Sequence, residues 1–148
     1  MSIAVRSAQT TWKGPLAAGT GTLGNSSSGV LDGQEVTWAA RTEAPGGKTS
    51  PEELAAAAHS SCYSMALSLK LGENHTPAQQ LTVEASVTLD EVDGAPTVTT
   101  SALRVRAQVP DLDEAEFAAL VEETSALCPI SRLFAGATIT VDAALETA

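Results

Sequence analysis

Two cysteines in 148 residues are too few for a disulfide framework. Cys62 and Cys128 also stand too far apart for a structural zinc site, where close Cys or Cys/His pairs supply the ligands. His59 and His75 are the only histidines and do not readily complete such a site, so no metal and no resident cofactor is expected. Basic residues are scarce as well: eight Lys and Arg face eighteen Asp and Glu, a formal net charge of −10. A field of that sign repels phosphate backbones and anionic membranes, which argues against nucleic-acid and membrane partners. No apolar run approaches the ~20 residues of a membrane span, and Met1 to Thr10 lack the apolar core of a secretory signal. The expected location is the cytoplasm.

The chain does have enough apolar residues, 43%, with only 18% charged, to be a folded globule rather than a disordered tail. Its length suits one domain over residues 1–148, burying roughly two thirds of its unfolded surface. The first third reads as short strands. Thr20 to Leu23 is one, and Asp32-Gly33 between Val30-Leu31 and Gln34-Glu35-Val36 is a hairpin signal. The second arm is expected to run through Ala40 and deliver Arg41 at its end. Ser50-Pro51-Glu52-Glu53 then starts a helix: Ser50 caps, Pro51 takes the first position and Glu53 closes a capping box. Leu54, Ala58, Cys62, Met65 and Leu69 recur at helical spacing, and Gly72 is the expected stop.

Leu81 to Asp90 and Thr97 to Val109 alternate with a period of two around Asp93-Gly94, so they should pair as an antiparallel hairpin. Asp113 and Glu116 form a second capping box, with Leu112 and Phe117 at staple positions. The stripe from Phe117 to Leu127 runs into Cys128-Pro129, which puts Cys128 at a helix end or kink. Thr138 to Leu145 is a last strand. The order of strands, helix, two strands, helix and strand is an α+β fold with mainly antiparallel sheets.

Cys62 is mid-helix, too far from either end for the macrodipole to help it. Left among apolar neighbours it is an inert thiol; with a cation beside it, it is a nucleophile. Arg41 is the best-placed cation, since Arg104 and Arg106 sit on the solvent face of a strand. It reads equally as a surface arginine. Glu53 lies nine residues before Cys62, about 900° around a helix, and so points the opposite way. Using both in one site needs a bend or a second subunit. His59, one turn before Cys62, would suit a Cys/His hydrolase, but no third residue to orient it is evident.

Thr49-Ser50-Pro51-Glu52-Glu53-Leu54, Ala58-His59-Ser60-Ser61-Cys62-Tyr63-Ser64-Met65-Ala66-Leu67 and Cys128-Pro129-Ile130-Ser131 together resemble the OsmC/Ohr family of osmotically inducible and organic hydroperoxide resistance proteins. The similarity runs from Trp12-Lys13-Gly14 to the final strand. It implies a thiol-dependent peroxidase that is an intertwined homodimer, its sheets packed on a long central cysteine-bearing helix and its sites at the subunit interface. By this resemblance Cys62 is the peroxidatic cysteine and Cys128 the resolving one, forming a Cys62–Cys128 disulfide. Glu53 matches the glutamate that pairs with the catalytic arginine.

Gly14 to Gly21 contain no arginine, whereas Trp38-Ala39-Ala40-Arg41 carries one, so the sequence resembles the OsmC branch, with Arg41 in that role. Organic hydroperoxides are the implied substrates, hydrogen peroxide a poorer one, and an external dithiol, with a lipoyl-bearing protein as candidate, the reductant. Met65, Leu69, Leu127, Ile130 and Phe134 would give an apolar approach. Two other readings compete: a binding module with unreactive thiols, and the Cys62/His59 hydrolase. Neither needs a second thiol.

Overall fold

A computed structural model describes all 148 residues, which fall into two compact units, Met1–Leu54 and Ala55–Ala148. In the first, β1 (Gln9–Lys13), β2 (Thr20–Gly24) and β3 (Glu35–Val36) form an antiparallel sheet in that order. Gly21 pairs with both Trp12 and Val36. A Cβ there would come within 2.6 Å of Val36 Cγ2 and 2.9 Å of the Trp12 ring, so the strands close up only over a glycine.

The expected Val30–Val36 hairpin is not formed. Asp32 turns its carboxylate to the N–H and hydroxyl of Ser26, at 2.9 and 2.8 Å, and so closes a loop between β2 and β3. Nor does the strand run on to Ala40. The Thr37 hydroxyl accepts the N–H of Ala40 at 3.1 Å and caps a short helix, α1 (Trp38–Thr42). Threonine is a good N-cap, and the cap outweighs the strand preference of Val-Thr-Trp.

Helix α2 (Pro51–Glu73) begins as the sequence predicts: Ser50 Oγ accepts the N–H of Glu53 at 3.2 Å. The Glu53 carboxylate does not reach back to Ser50 but accepts from the Thr49 hydroxyl at 2.7 Å. The helix passes Gly72 and ends at a Schellman cap. His75 takes the left-handed conformation, φ 59°, while Thr76 N–H bonds to Leu71 C=O and His75 N–H to Gly72 C=O.

In the second unit, β4 (Gln80–Val92) and β5 (Ala95–Gln108) form the expected antiparallel hairpin. Asp93 and Gly94 at its tip both have positive φ, 52° and 77°, as a two-residue primed turn requires. Helix α3 (Glu114–Leu127) is capped by Asp113, whose Oδ1 accepts Glu116 N–H at 2.9 Å. Short α4 (Pro129–Leu133) follows, and then β6 (Thr138–Leu145) joins β5 in parallel. The fold is α+β with two three-stranded sheets and four helices.

The core of this unit lies where α2, β5 and α3 meet: Tyr63, Leu67 and Leu71 pack with Leu103, Val105 and Ala107 and with Phe117, Leu120 and Val121. The buried face of α2 is therefore the His59-Tyr63-Leu67-Leu71 line. The stripe read from the sequence lies to its side: Met65 is 74% and Leu69 58% exposed. The helix is apolar on two faces, and the core takes the one whose polar atoms find partners. Tyr63 donates its O–H to Val121 C=O at 3.0 Å and lies 3.1 Å from Ser125 Oγ. Replacing Tyr63→Phe is expected to lower unfolding stability by about 1 kcal/mol, read from the denaturant midpoint. A wild-type midpoint would mean that the bond contributes nothing net.

Candidate active site

Pro129 has no N–H to give the α3 ladder, so the chain leaves the helix at Cys128, ψ 115°, and restarts at Pro129 as the first residue of α4. Cys128 is at once the C-cap of α3 and the N-cap of α4, and its Sγ accepts the N–H of Ser131 at 3.5 Å. It is fully buried. Cys62, on the middle of α2, is half-buried, and both thiols are free.

The two thiols are near enough to influence each other's ionisation, and their proton affinities diverge. Burial pushes the Cys62 thiol up, and its bond to Cys128 and the nearness of that charge add to the rise, against one hydrogen bond from the Ile130 backbone. Burial raises Cys128 too. The polar groups of Ser131, whose N–H donates to the sulfur, together with the nearby Cys62 thiol and Ile130 backbone, nevertheless bring it below the ordinary cysteine value.

Cys62 opens on a pocket of about 430 Å³ lined by Met65, Ala66, Leu69, Leu127 and Pro129, none of them charged. Three of the five residues expected to line an apolar approach are there. Ile130 instead packs on the core, and Phe134 sets its ring edge-on to His59, centroids 5.1 Å apart. His59 is fully buried, with Nδ1 2.6 Å from Ser101 Oγ and Nε2 2.8 Å from Ser131 Oγ. Both its ring nitrogens are thus engaged by serines. The sequence showed His59 one turn before Cys62, but nothing in it showed Ser101, forty-two positions away, as a partner.

Arg41 is in the last turn of α1, not at a strand end. Its Nε bonds to both carboxylate oxygens of Glu52 at 3.0 Å, and its Nη2 to Oε1 at 2.6 Å; the side chains are only 29% and 12% exposed. The guanidinium also lies 6.0 Å from the Trp38 ring centroid. A cavity of about 90 Å³ beside it is walled by Trp12, Leu16, Val36, Thr37, Trp38 and Pro51. The carboxylate expected to hold Arg41 was Glu53; the structure gives that partner as Glu52. One residue is ~100° of helix, and that rotation sends Glu53 to Thr49. The half-turn argument for a second subunit, which rested on Glu53, lapses with the pairing. No group of three or more His, Cys, Asp and Glu side chains is arranged to hold a metal ion, and no helix is long and apolar enough to cross a membrane.

A two-cysteine α+β chain with one thiol on a long helix and the other at a helix junction is a defined class of protein. The family profile described as OsmC-like protein matches residues 44–143, and the chain belongs to that family. It is 39% identical over 139 residues to Peroxiredoxin OsmC of Escherichia coli (strain K12), covering 94% of this chain and 95% of that protein. The organic hydroperoxide resistance protein OhrB of Bacillus subtilis is 30% identical, with a TM-score of 0.69 over 95% of this chain and 98% of that one. An OsmC-like protein from Mycoplasma pneumoniae shares the fold at 14% identity, with a TM-score of 0.74 over 97% and 99%.

Burial holds the His59 imidazole below its ordinary value. The folded state then binds fewer protons than the unfolded one, so the stability from keeping the ring neutral is complete above about pH 6.5 and lost as pH falls towards the lower folded value. The groups facing the ring, Ser101, Ser131 and Phe134, carry no charge to counter this. Relative to His59→Gln, the wild type should lose stability on acidification below pH 6.5, at no more than about 1.4 kcal/mol per pH unit. Denaturant midpoints of the two chains measured side by side test this; parallel curves would mean that the ring is protonated in the folded state.

Proposed function

We propose that the chain is a thiol-dependent peroxidase that reduces organic hydroperoxides to alcohols, with hydrogen peroxide a poorer substrate. One observation carries the reading: two free thiols lie near enough to influence each other's ionisation, and one of them faces an uncharged apolar pocket. The names of the relatives, a peroxiredoxin and an organic hydroperoxide resistance protein, support it.

Cys62 attacks the O–O bond as a thiolate. The distal oxygen becomes Cys62 sulfenic acid, and the alkoxide leaves and takes up a proton as the alcohol. Cys128 then attacks the Cys62 sulfur, an S–S bond forms, the S–O bond breaks, and hydroxide leaves as water. An external dithiol, with a lipoyl-bearing protein as candidate, reduces the disulfide by exchange and restores both thiols. No cofactor enters the cycle, which suits a reducing cytoplasm.

The uncharged wall of the Cys62 pocket gives its thiolate no counter-charge, and burial opposes ionisation. We assign that counter-charge to Arg41, with Glu52 holding the guanidinium in one orientation by bidentate, charge-assisted bonds. The exposed Met65 and Leu69 are the face that a second copy would cover, consistent with a homodimer.

Cys62→Ser should abolish turnover of cumene hydroperoxide. Cys128→Ser should consume about one equivalent and stop at the sulfenic acid, detected by intact mass. Arg41→Ala should slow oxidation of Cys62 at least tenfold in a chain that still folds; an unchanged rate would remove Arg41 from the site. In the wild type, one equivalent of the hydroperoxide should remove both titratable thiols and two hydrogens from the mass of one chain. Two thiols left free would replace the peroxidase with a binding module.

A further inference from the structure

The few aromatic residues are unevenly placed. Tyr63 and Phe117 are buried in the core and Phe134 lies against His59, but both tryptophans, Trp12 and Trp38, stand in the wall of the cavity beside Arg41. Trp12 is exposed, yet the fold holds it in place. Its indole N–H donates to Gly14 C=O at 2.9 Å. A Cβ on Gly19 would come within 2.8 Å of the indole nitrogen, and one on Gly21 within 2.9 Å of the ring, so two positions without side chains let the ring approach the backbone. Trp38 is set by its position at the start of α1, with the guanidinium 6.0 Å from its ring centroid. Leu16, Val36 and Pro51 complete the apolar wall, and the Thr37 oxygen beside them accepts the N–H of Ala40.

Arg41 gives this cavity its one charged end. Glu52 accepts from Nε and Nη2, and no group of the chain accepts from Nη1. A guanidinium edge with free N–H donors beside an apolar cavity is complementary to a molecule with an oxygen acceptor at one end and a carbon group at the other. The volume sets the size of that group. An apolar cavity of about 150 Å³ takes up a benzene ring. This one is about 90 Å³, and it suits a branched alkyl group of roughly four carbons better than a ring.

We propose that this cavity selects the substrate: the O–O end of the hydroperoxide lies on Nη1 of Arg41, and a compact branched alkyl group fills the space between Trp12, Trp38 and Leu16. The preferred class is therefore the tertiary alkyl hydroperoxide, with tert-butyl ahead of cumene hydroperoxide. Leu16 sets the width of the pocket, and since it is 59% exposed it can be changed with little effect on packing. The inference rests on the peroxidase reading, and on the assignment of Arg41 within it, for its place in turnover.

Its first test needs no peroxide. Trp12 and Trp38 are the only tryptophans, so indole emission reports on this cavity directly, and the product alcohols do not react with thiols. In the wild type, the emission should change saturably with tert-butanol, and at lower concentration than with 2-phenyl-2-propanol. Leu16→Ala, which widens the pocket, should reverse that order. Leu16→Phe, which fills it, should raise the half-saturating concentration of tert-butanol about tenfold. In turnover with dithiothreitol as reductant, the ratio of kcat/KM for tert-butyl over cumene hydroperoxide should fall about tenfold in Leu16→Ala, the scale of discrimination that a methylene supplies in an apolar pocket.

Emission that saturates with neither alcohol overturns the proposal. So does a wild type that binds 2-phenyl-2-propanol more tightly, or a substrate ratio unmoved by Leu16→Ala. Isobutyrate bound more tightly than tert-butanol also overturns it and makes the cavity a site for a small organic acid. The stated emission changes in a chain whose thiols stay free after tert-butyl hydroperoxide would uphold the preference of the cavity and sink the peroxidase reading alone.

Discussion

The second unit depends on the missing N–H of Pro129. An uninterrupted helix from Glu114 onward would leave the Cys128 sulfur as one more side chain on a hydrogen-bonded cylinder, with every nearby N–H already committed. Proline ends that ladder, and α4 begins with free N–H groups pointing back at the residue before it. Cys128 is that residue. Ser131 lies at the third position of the new helix, where an N-cap acceptor finds its donor: its N–H goes to the sulfur and its hydroxyl meets His59. A single imino acid thereby frees a backbone donor for a buried sulfur.

The Met1–Leu54 unit holds a guanidinium locked by a carboxylate; the Ala55–Ala148 unit holds two sulfurs, a buried imidazole and serine hydroxyls. Each group is prepared by its own neighbours. Arg41 is held on three sides, by two oxygens of Glu52 and the face of Trp38, so little side-chain freedom remains to it.

What could be read from the sequence was what depends on local chemistry. The caps at Ser50 and Asp113, the Asp93-Gly94 hairpin, the alternation of β4 and β5 and the break at Cys128-Pro129 all follow from residues within four or five positions of one another. The failures came where two local preferences compete or a distant partner decides. Thr37 as a helix cap beat the strand character of its neighbours, and Asp32 used its side chain on Ser26 instead of turning a hairpin. Glu52 and Glu53 are adjacent carboxylates, and only the orientation of α2 decides which reaches Arg41. The buried face of α2 was missed because His59 and Tyr63 look polar until Ser101, Ser131 and the Val121 carbonyl are brought to them. Parallel pairing of β6 with β5 is likewise set by the path of the two helices between them and not by the strand itself.

The two thiols come near each other from positions 62 and 128, so a bond between them would close a loop of about 66 residues in the unfolded chain. Tying a loop of that size lowers the entropy of the denatured ensemble by an amount worth about 4 kcal/mol. An oxidised chain would then resist unfolding more than a reduced one. A molecule spent by its substrate and awaiting reductant would be in its hardest state, protected from proteolysis during the interval in which it does no work.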